Sequence, residues 1–161
     1  MGVAEKLDAH LRGVLHRAFS VLVFDSAGRL LLQRRADKKY HSAGLWSNSC
    51  CGHPRPGESV LQAGRRRLRE EMGFDCELRE LATFRYRAEL AAGLAEHELD
   101  HVLAGEWEGT PVPDPDEVAE CDWTPLDSLE RAMIDEPSKY SAWLPLVMQA
   151  FALAMKGTTG R

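Results

Sequence analysis

The chain has 161 residues, a formal charge of −5, and apolar and charged shares (44% and 28%) ordinary for a soluble globular protein. It is long enough for one domain with a sizeable core, and its acidic balance speaks against broad nucleic-acid binding, which needs a basic field. No segment is apolar for long enough to span a bilayer, and the N-terminal MGVAEKLDAHLRG lacks a signal-peptide core, so no membrane partner and a cytoplasmic location are expected. The four cysteines, Cys50, Cys51, Cys76 and Cys121, are expected to be reduced there. The lack of a C-x-x-C pair speaks against a structural zinc knuckle.

In chain order, residues 1–16 read as an irregular arm. Its His10 and His16 are separated by about 600° on a straight helix, so a loop rather than a helix face would bring them together. Phe19 to Phe24 and Leu30 to Gln33 are apolar runs of strand length, joined by Asp25-Ser26-Ala27-Gly28 as a hairpin turn. A basic set follows: Arg34, Arg35, Lys38 and Lys39. Turn residues Pro54, Pro56 and Gly57 precede an amphipathic helix over Glu58 to Met72, with Leu61, Gly64, Leu68 and Met72 facing the core. Gly73 stands where a helix C-terminus wants one. Arg66–Glu70 and Arg67–Glu71 are i,i+4 pairs. Strands are expected near Cys76–Tyr86, Glu96–Glu106 and Val118–Trp123. A helix over Leu126 to Met133 would be capped by Thr124 or Asp127, with Pro125 near its first turn. A last helix, about Ser141 to Met155, tolerates Pro145 only near its start or at a kink. Residues 156–161 read as a mobile tail. Short strands flanked by helices make a mixed-sheet α+β (α/β/α) domain spanning 1–161.

Three sets of side chains carry chemistry, and each has a plainer alternative. Glu96 and Glu98 are i,i+2 on a strand and project from one face. With His10, His16 and His53 they make a mixed N/O site suited to Mn, Fe or Zn; the alternative is solvent-facing carboxylates and scattered histidines. His97 and His101 have the opposite parity and read as surface or second-layer residues. Cys51, before Gly52-His53-Pro54, is a reactive thiol or a small buried hydrophobe, the commoner fate of a free cysteine. The basic set, with Lys6, either binds a diphosphate or is a solvated turn. Tyr86 and Trp143 either wall a pocket or pack in the core.

Gly52 to Phe74 resembles the Nudix box, G-x5-E-x7-R-E-U-x-E-E-x-G-U, except that Arg67 stands where the hydrolases carry a glutamate. Around it, in order, lie H-x5-H-R-A-F-S, R-R-A-x-x-K, W-S-N-S-C-C-G-H-P, F-R-Y-R-A, E-H-E-L-D-H-V and W-x-P-L-V-M-Q. Together these pieces, from about Lys6 to Phe151, resemble type I isopentenyl-diphosphate Δ-isomerase, a Nudix-fold enzyme of isoprenoid synthesis.

The resemblance implies that His10, His16, His53, Glu96 and Glu98 hold a tight divalent ion, with Mn2+ preferred and Zn2+ or Fe2+ as alternatives. It implies that Cys51, with Glu98, Tyr86 and Trp143, is catalytic. Glu71 and the Cys51 backbone carbonyl would hold a substrate-linked Mg2+. Lys6, Arg34, Lys38 and Arg67 would contact the diphosphate. The implied partner is a small-molecule diphosphate, with no nucleic acid and a monomer or weak dimer. The implied reaction interconverts isopentenyl and dimethylallyl diphosphate by protonation at C4 and deprotonation at C2 through a carbocation. The alternatives are a Nudix pyrophosphohydrolase of nucleoside-diphosphate derivatives, which Arg67 speaks against, and an inactive Nudix-like binding module.

Overall fold

A computed structural model describes residues 13–39, 41–89 and 95–158. Its centre is β1 (His16–Phe24), whose apolar run is buried on both faces. β2 (Leu30–Arg35) returns from the Asp25–Gly28 turn, closed by the Gly28 amide donating to the Asp25 carbonyl at 2.9 Å. β3 (Trp46–Ser47) and β4 (Cys50–Gly52) are short. Helix α1 (Val60–Met72) follows, then the long strands β5 (Arg79–Glu89) and β6 (Ala95–Glu106). β7 (Val118–Thr124), α2 (Leu126–Asp135) and α3 (Leu144–Thr158) complete the described chain. The sheet runs β3-β2-β1-β6-β5, with β4 also on β1 and β7 on β2. The β1–β6 pairing is parallel and the others are antiparallel, so the sheet is mixed.

Strand alternation divides the core. Phe19, Val21 and Val23 of β1 pack with Val60, Ala63, Leu68 and Met72 of α1. Leu22 joins Leu129 of α2 and Leu144, Val147 and Met148 of α3 on the other face. Ser20 shares the parity of Leu22 and is buried as well. The expected mixed-sheet architecture holds. No described helix is long and apolar enough to cross a membrane.

Several boundaries differ from the sequence reading. α1 begins at Val60, not Glu58, because Ser59 and Gln62 form a capping box: Ser59 Oγ accepts from the Gln62 amide at 3.2 Å, and Gln62 Oε1 from the Ser59 amide at 3.0 Å. The core face therefore starts with Val60, and Leu61 is exposed. Gly73 ends the helix at φ +75°, as expected, and a Cβ there would sit 2.4 Å from the Val112 carbonyl oxygen. Gly64 lets α1 approach the sheet: a Cβ would lie 2.9 Å from Cδ1 of both Leu78 and Leu103. Cys76 precedes β5 rather than lying in it. Neither Thr124 nor Asp127 caps α2. Pro125 takes the cap position, Thr124 Oγ1 turns to Asp122, and Asp127 accepts from its neighbour's amide. α3 starts at Leu144, which places Pro145 in the first turn, and it continues through Lys156 to Thr158. His16 is the first residue of β1 rather than part of an arm.

Candidate metal and catalytic site

Register assembles the site. β6 sets His16 of β1 beside Glu98, and β5 sets Tyr86 opposite the same Glu98, so three strands contribute one row. β4 pairs Cys51 with Ser20. Glu96, Glu98 and Asp100 alternate inward along β6, and all three are buried. His97 and His101 point elsewhere, to the Gly13 carbonyl (3.0 Å) and Glu80 (2.7 Å).

His16 Nε2 and His53 Nε2 lie 3.2 Å apart, and Glu98 Oε1 stands 3.3 Å from the first and 2.9 Å from the second. These donor atoms converge as ligands of one ion do. Two donors on one ion at about 2.1 Å each stand about 3 Å from one another. His16 Nδ1 donates to the Val14 carbonyl at 2.7 Å, which fixes the tautomer with the Nε2 lone pair inward. The Tyr86 hydroxyl lies 2.8 Å from Glu96 Oε2 and 3.0 Å from Glu98 Oε2 and donates between them. Burial and the two carboxylates push Tyr86 far up, so it remains a phenol. The donor set therefore fits a divalent ion, whose charge would offset the buried carboxylates. His16 is raised: burial opposes its charge, but the hydrogen bond to Glu98 and the Val14 carbonyl outweigh it. Asp100 is pushed up to about 8 by burial, although Ser20 Oγ donates to it at 2.8 Å.

Cys51 lines the pocket with His53, Glu98 and Trp143. Its thiol is pushed up to about 12 by burial; Arg35 opposes, and Glu71, Glu98 and Asp100 add to the rise. Cys50 takes the opposite face and is fully buried in the α1 core. Trp143 is 3% exposed, with the Arg35 guanidinium 5.3 Å from its ring centroid. Glu71, buried at the end of α1, accepts from Gln33 Nε2 at 2.8 Å and from Arg67. Arg67 also reaches Glu70 (2.8 Å) and Glu117 (3.2 Å).

Two expected diphosphate contacts lie off the pocket. Arg34 pairs with Glu120 of β7 at 3.1 Å, and the exposed Lys38 with Asp116 at 2.9 Å. Arg35 and Lys39 line the pocket instead. Arg35 shares the strand parity of Gln33, which bonds the pocket residue Glu71, while Arg34 has the opposite parity and turns to β7. A register shift falls at the same place, its extra residue being Ala119 of β7. Ser20, Gln33 and His41 were also missed, as isolated polar residues carry no spacing signal; Asp100 was missed although it continues the i,i+2 alternation of Glu96 and Glu98 and could have been found by it. The expected Lys6 and His10 lie outside the described residues.

A mixed sheet between helices, with a glutamate-bearing helix ending at the pocket, defines the NUDIX-domain class, and the family profile described as NUDIX domain matches residues 14–144. The chain superposes on the MutT protein of Methanosarcina mazei Go1 with a TM-score of 0.71 at 20% identity, covering 88% of this chain and 96% of that one. At that identity the likeness speaks for the fold. Isopentenyl-diphosphate Delta-isomerase of Burkholderia multivorans is 53% identical over 153 residues, 95% of this chain and 87% of that protein. Isopentenyl-diphosphate Delta-isomerase 2 of Aromatoleum aromaticum is 55% identical over 144 residues, 89% and 76% respectively. The chain belongs to the isopentenyl-diphosphate Delta-isomerase family.

Proposed function

We propose that this pocket interconverts isopentenyl and dimethylallyl diphosphate by adding a proton at C4 and removing one from C2. The observation that carries the mechanism is the meeting of the Cys51 thiol, the Glu98 carboxylate and the Trp143 indole in one small pocket. A thiol raised to about 12 is held as the neutral acid. Protonating an alkene needs an acid held against the double bond in a dry site. In this scheme the proton comes from the Cys51 side, C4 becomes a methyl group and C3 a tertiary cation. Glu98 takes the C2 proton, which restores the alkene one bond along. With Arg35 over one face of Trp143, the cation would meet the other.

His16, His53, Glu96 and Glu98, with His10, are the proposed holders of the tight divalent ion, whose charge would fix the Glu98 carboxylate and tune its proton affinity. Glu71 and the Cys51 carbonyl are assigned to a Mg2+ carried by the substrate. Arg35 and Lys39 replace Arg34 and Lys38 as diphosphate contacts, beside Arg67 and Lys6. Hydrolysis is disfavoured by Arg67, which stands where the hydrolase pattern carries a glutamate and pairs with Glu70 and Glu71, putting a cation where a hydrolytic metal would need carboxylates.

Isomerisation in D2O with Mg2+ and Mn2+ tests the reading. Deuterium should enter the dimethylallyl product, and unlabelled product or none would sink it. Cys51→Ala and Glu98→Gln should each lose about 10²–10⁴-fold in kcat, while Cys50→Ala should lose little beyond stability.

A further inference from the structure

Asn48 is fully buried between β3 and β4, where an apolar residue would be the default. Its side chain makes four hydrogen bonds. Nδ2 donates to the Val21 carbonyl at 3.2 Å and to the Cys50 carbonyl at 2.7 Å. Oδ1 accepts from Ser47 Oγ at 2.9 Å and from the Trp143 indole Nε1 at 3.1 Å. The indole can only donate and the two carbonyls can only accept, so the amide has one possible orientation. Ser141 Oγ donates to Ser47 Oγ at 3.1 Å and extends the chain, while the Ser141 amide donates to the Trp46 carbonyl at 2.9 Å. Asn48 thus ties β1, the residue beside Cys51, and the segment carrying Trp143 through one saturated amide.

We propose that Asn48 is a positioning residue for the reaction: it holds the Trp143 indole at a fixed setting against the strand that bears Cys51. The inference rests on Trp143 and Cys51 facing the same substrate, as proposed above. Packing alone leaves an indole free to rock within its cavity, whereas a hydrogen bond to its one polar atom fixes the rotation of the ring plane. The acid and the π face that meets the cation then keep one spacing. Catalysis by orientation is sensitive to displacements of the order of 1 Å. Asn48 touches neither substrate nor metal in this account, so its effect falls on turnover rather than on diphosphate binding.

The test is a cycle of Asn48→Ala and Trp143→Phe in the full chain with Mg2+ and Mn2+, measuring kcat and KM for isopentenyl diphosphate. Asn48→Ala should lower kcat about tenfold with KM little changed. In the Trp143→Phe background, which has no indole N–H, the same substitution should cost far less. Independent, multiplicative losses overturn the inference. So does a loss confined to KM. A Trp143→Phe enzyme with full kcat removes the placement of Trp143 in the active site, and the inference with it. The indole N–H resonance of Trp143, assigned by its loss in Trp143→Phe, should move upfield in Asn48→Ala; an unmoved resonance overturns the proposal. If Asn48→Ala does not fold, Asn48→Ser takes its place: its shorter side chain withdraws the acceptor from the indole while its hydroxyl can still donate to a neighbouring carbonyl. The same upfield shift and kcat loss are expected, and an unmoved resonance with unchanged kcat overturns the proposal.

Discussion

Cys50 and Cys51 are neighbours in the chain and opposites in the fold. One is sealed under α1, and the other faces Glu98 and Trp143. Cys51, the cysteine singled out because it directly precedes Gly-His-Pro, is the one that lines the pocket, and strand alternation sends its neighbour to the opposite face. Which of the basic residues line the pocket was not legible, because four Arg and Lys side chains within six positions look alike in sequence and only the path of the chain after β2 sets Arg35 and Lys39 against the pocket. The raised Cys51 thiol has a measurable consequence. Burial is the main cause and Arg35 the main opposing one, so at neutral pH the group is protonated and alkylates slowly. In a Cys50→Ala background without added metal, iodoacetamide modification of Cys51 should still be rising well above pH 9, whereas a free thiol levels off past its ordinary value of about 8.5. Levelling near that ordinary value would refute the assignment. Arg35→Ala should shift the curve further to alkaline pH.

At the scale of the element, α1 was legible in most respects. Its stop at Gly73, its Arg66–Glu70 and Arg67–Glu71 pairs, and Leu68 and Met72 in the core were expected and are found. Its start was misjudged by two residues, because the Ser59-x-x-Gln62 box outranks the turn residues before it. Glu58, left outside the helix, accepts from Arg66 and from the Arg55 amide and is lowered to about 2, chiefly by the Arg66 hydrogen bonds. A carboxyl depressed in the folded state stabilises above its unfolded value of 4.5 and loses that contribution as pH falls toward about 2. Wild type should therefore exceed Glu58→Gln in melting temperature at neutral pH. A part-buried pair at the protein surface is worth about 1 kcal/mol once solvent screening is allowed for, or roughly 2–4 °C in a domain of this size. The gap should close between pH 4.5 and about 2. A gap unchanged at pH 2.5, or wider in acid, would contradict the pairing.

At the scale of the whole molecule, the pocket draws residues from Ala18 to Trp143, on β1, β2, β4, β5, β6, α1 and the approach to α3. The class of fold was legible because strand-length apolar runs and one strongly amphipathic helix follow each other in order. The site was legible where a strand repeats a chemical type on one face, as Glu96 and Glu98 do. It was opaque where single residues from distant strands meet, as Ser20 meets Asp100 across β1 and β6. Such a site links metal and stability. Saturating Mn2+ at about a hundred times its Kd should stabilise by about 2.7 kcal/mol, or roughly 5–10 °C, over chelator-treated protein. His53→Ala should abolish most of that shift, and an unchanged shift would remove His53 from the ligand set.

The close seat of α1 on the sheet has one more consequence. Gly64 and Glu71 are seven residues apart, two helical turns, and so lie along the same stripe of α1. The missing side chain at 64 sets how deeply the helix settles between Leu78 and Leu103. A side chain there must be met by a shift, either of the two leucine Cδ1 atoms or of the helix, and where the helix yields the carboxylate at 71 rides with it. Gly64 then acts as a depth stop for the reach of Glu71. Loss of affinity for Mg2+-loaded substrate without loss of fold is the signature to look for in a Gly64→Ala enzyme.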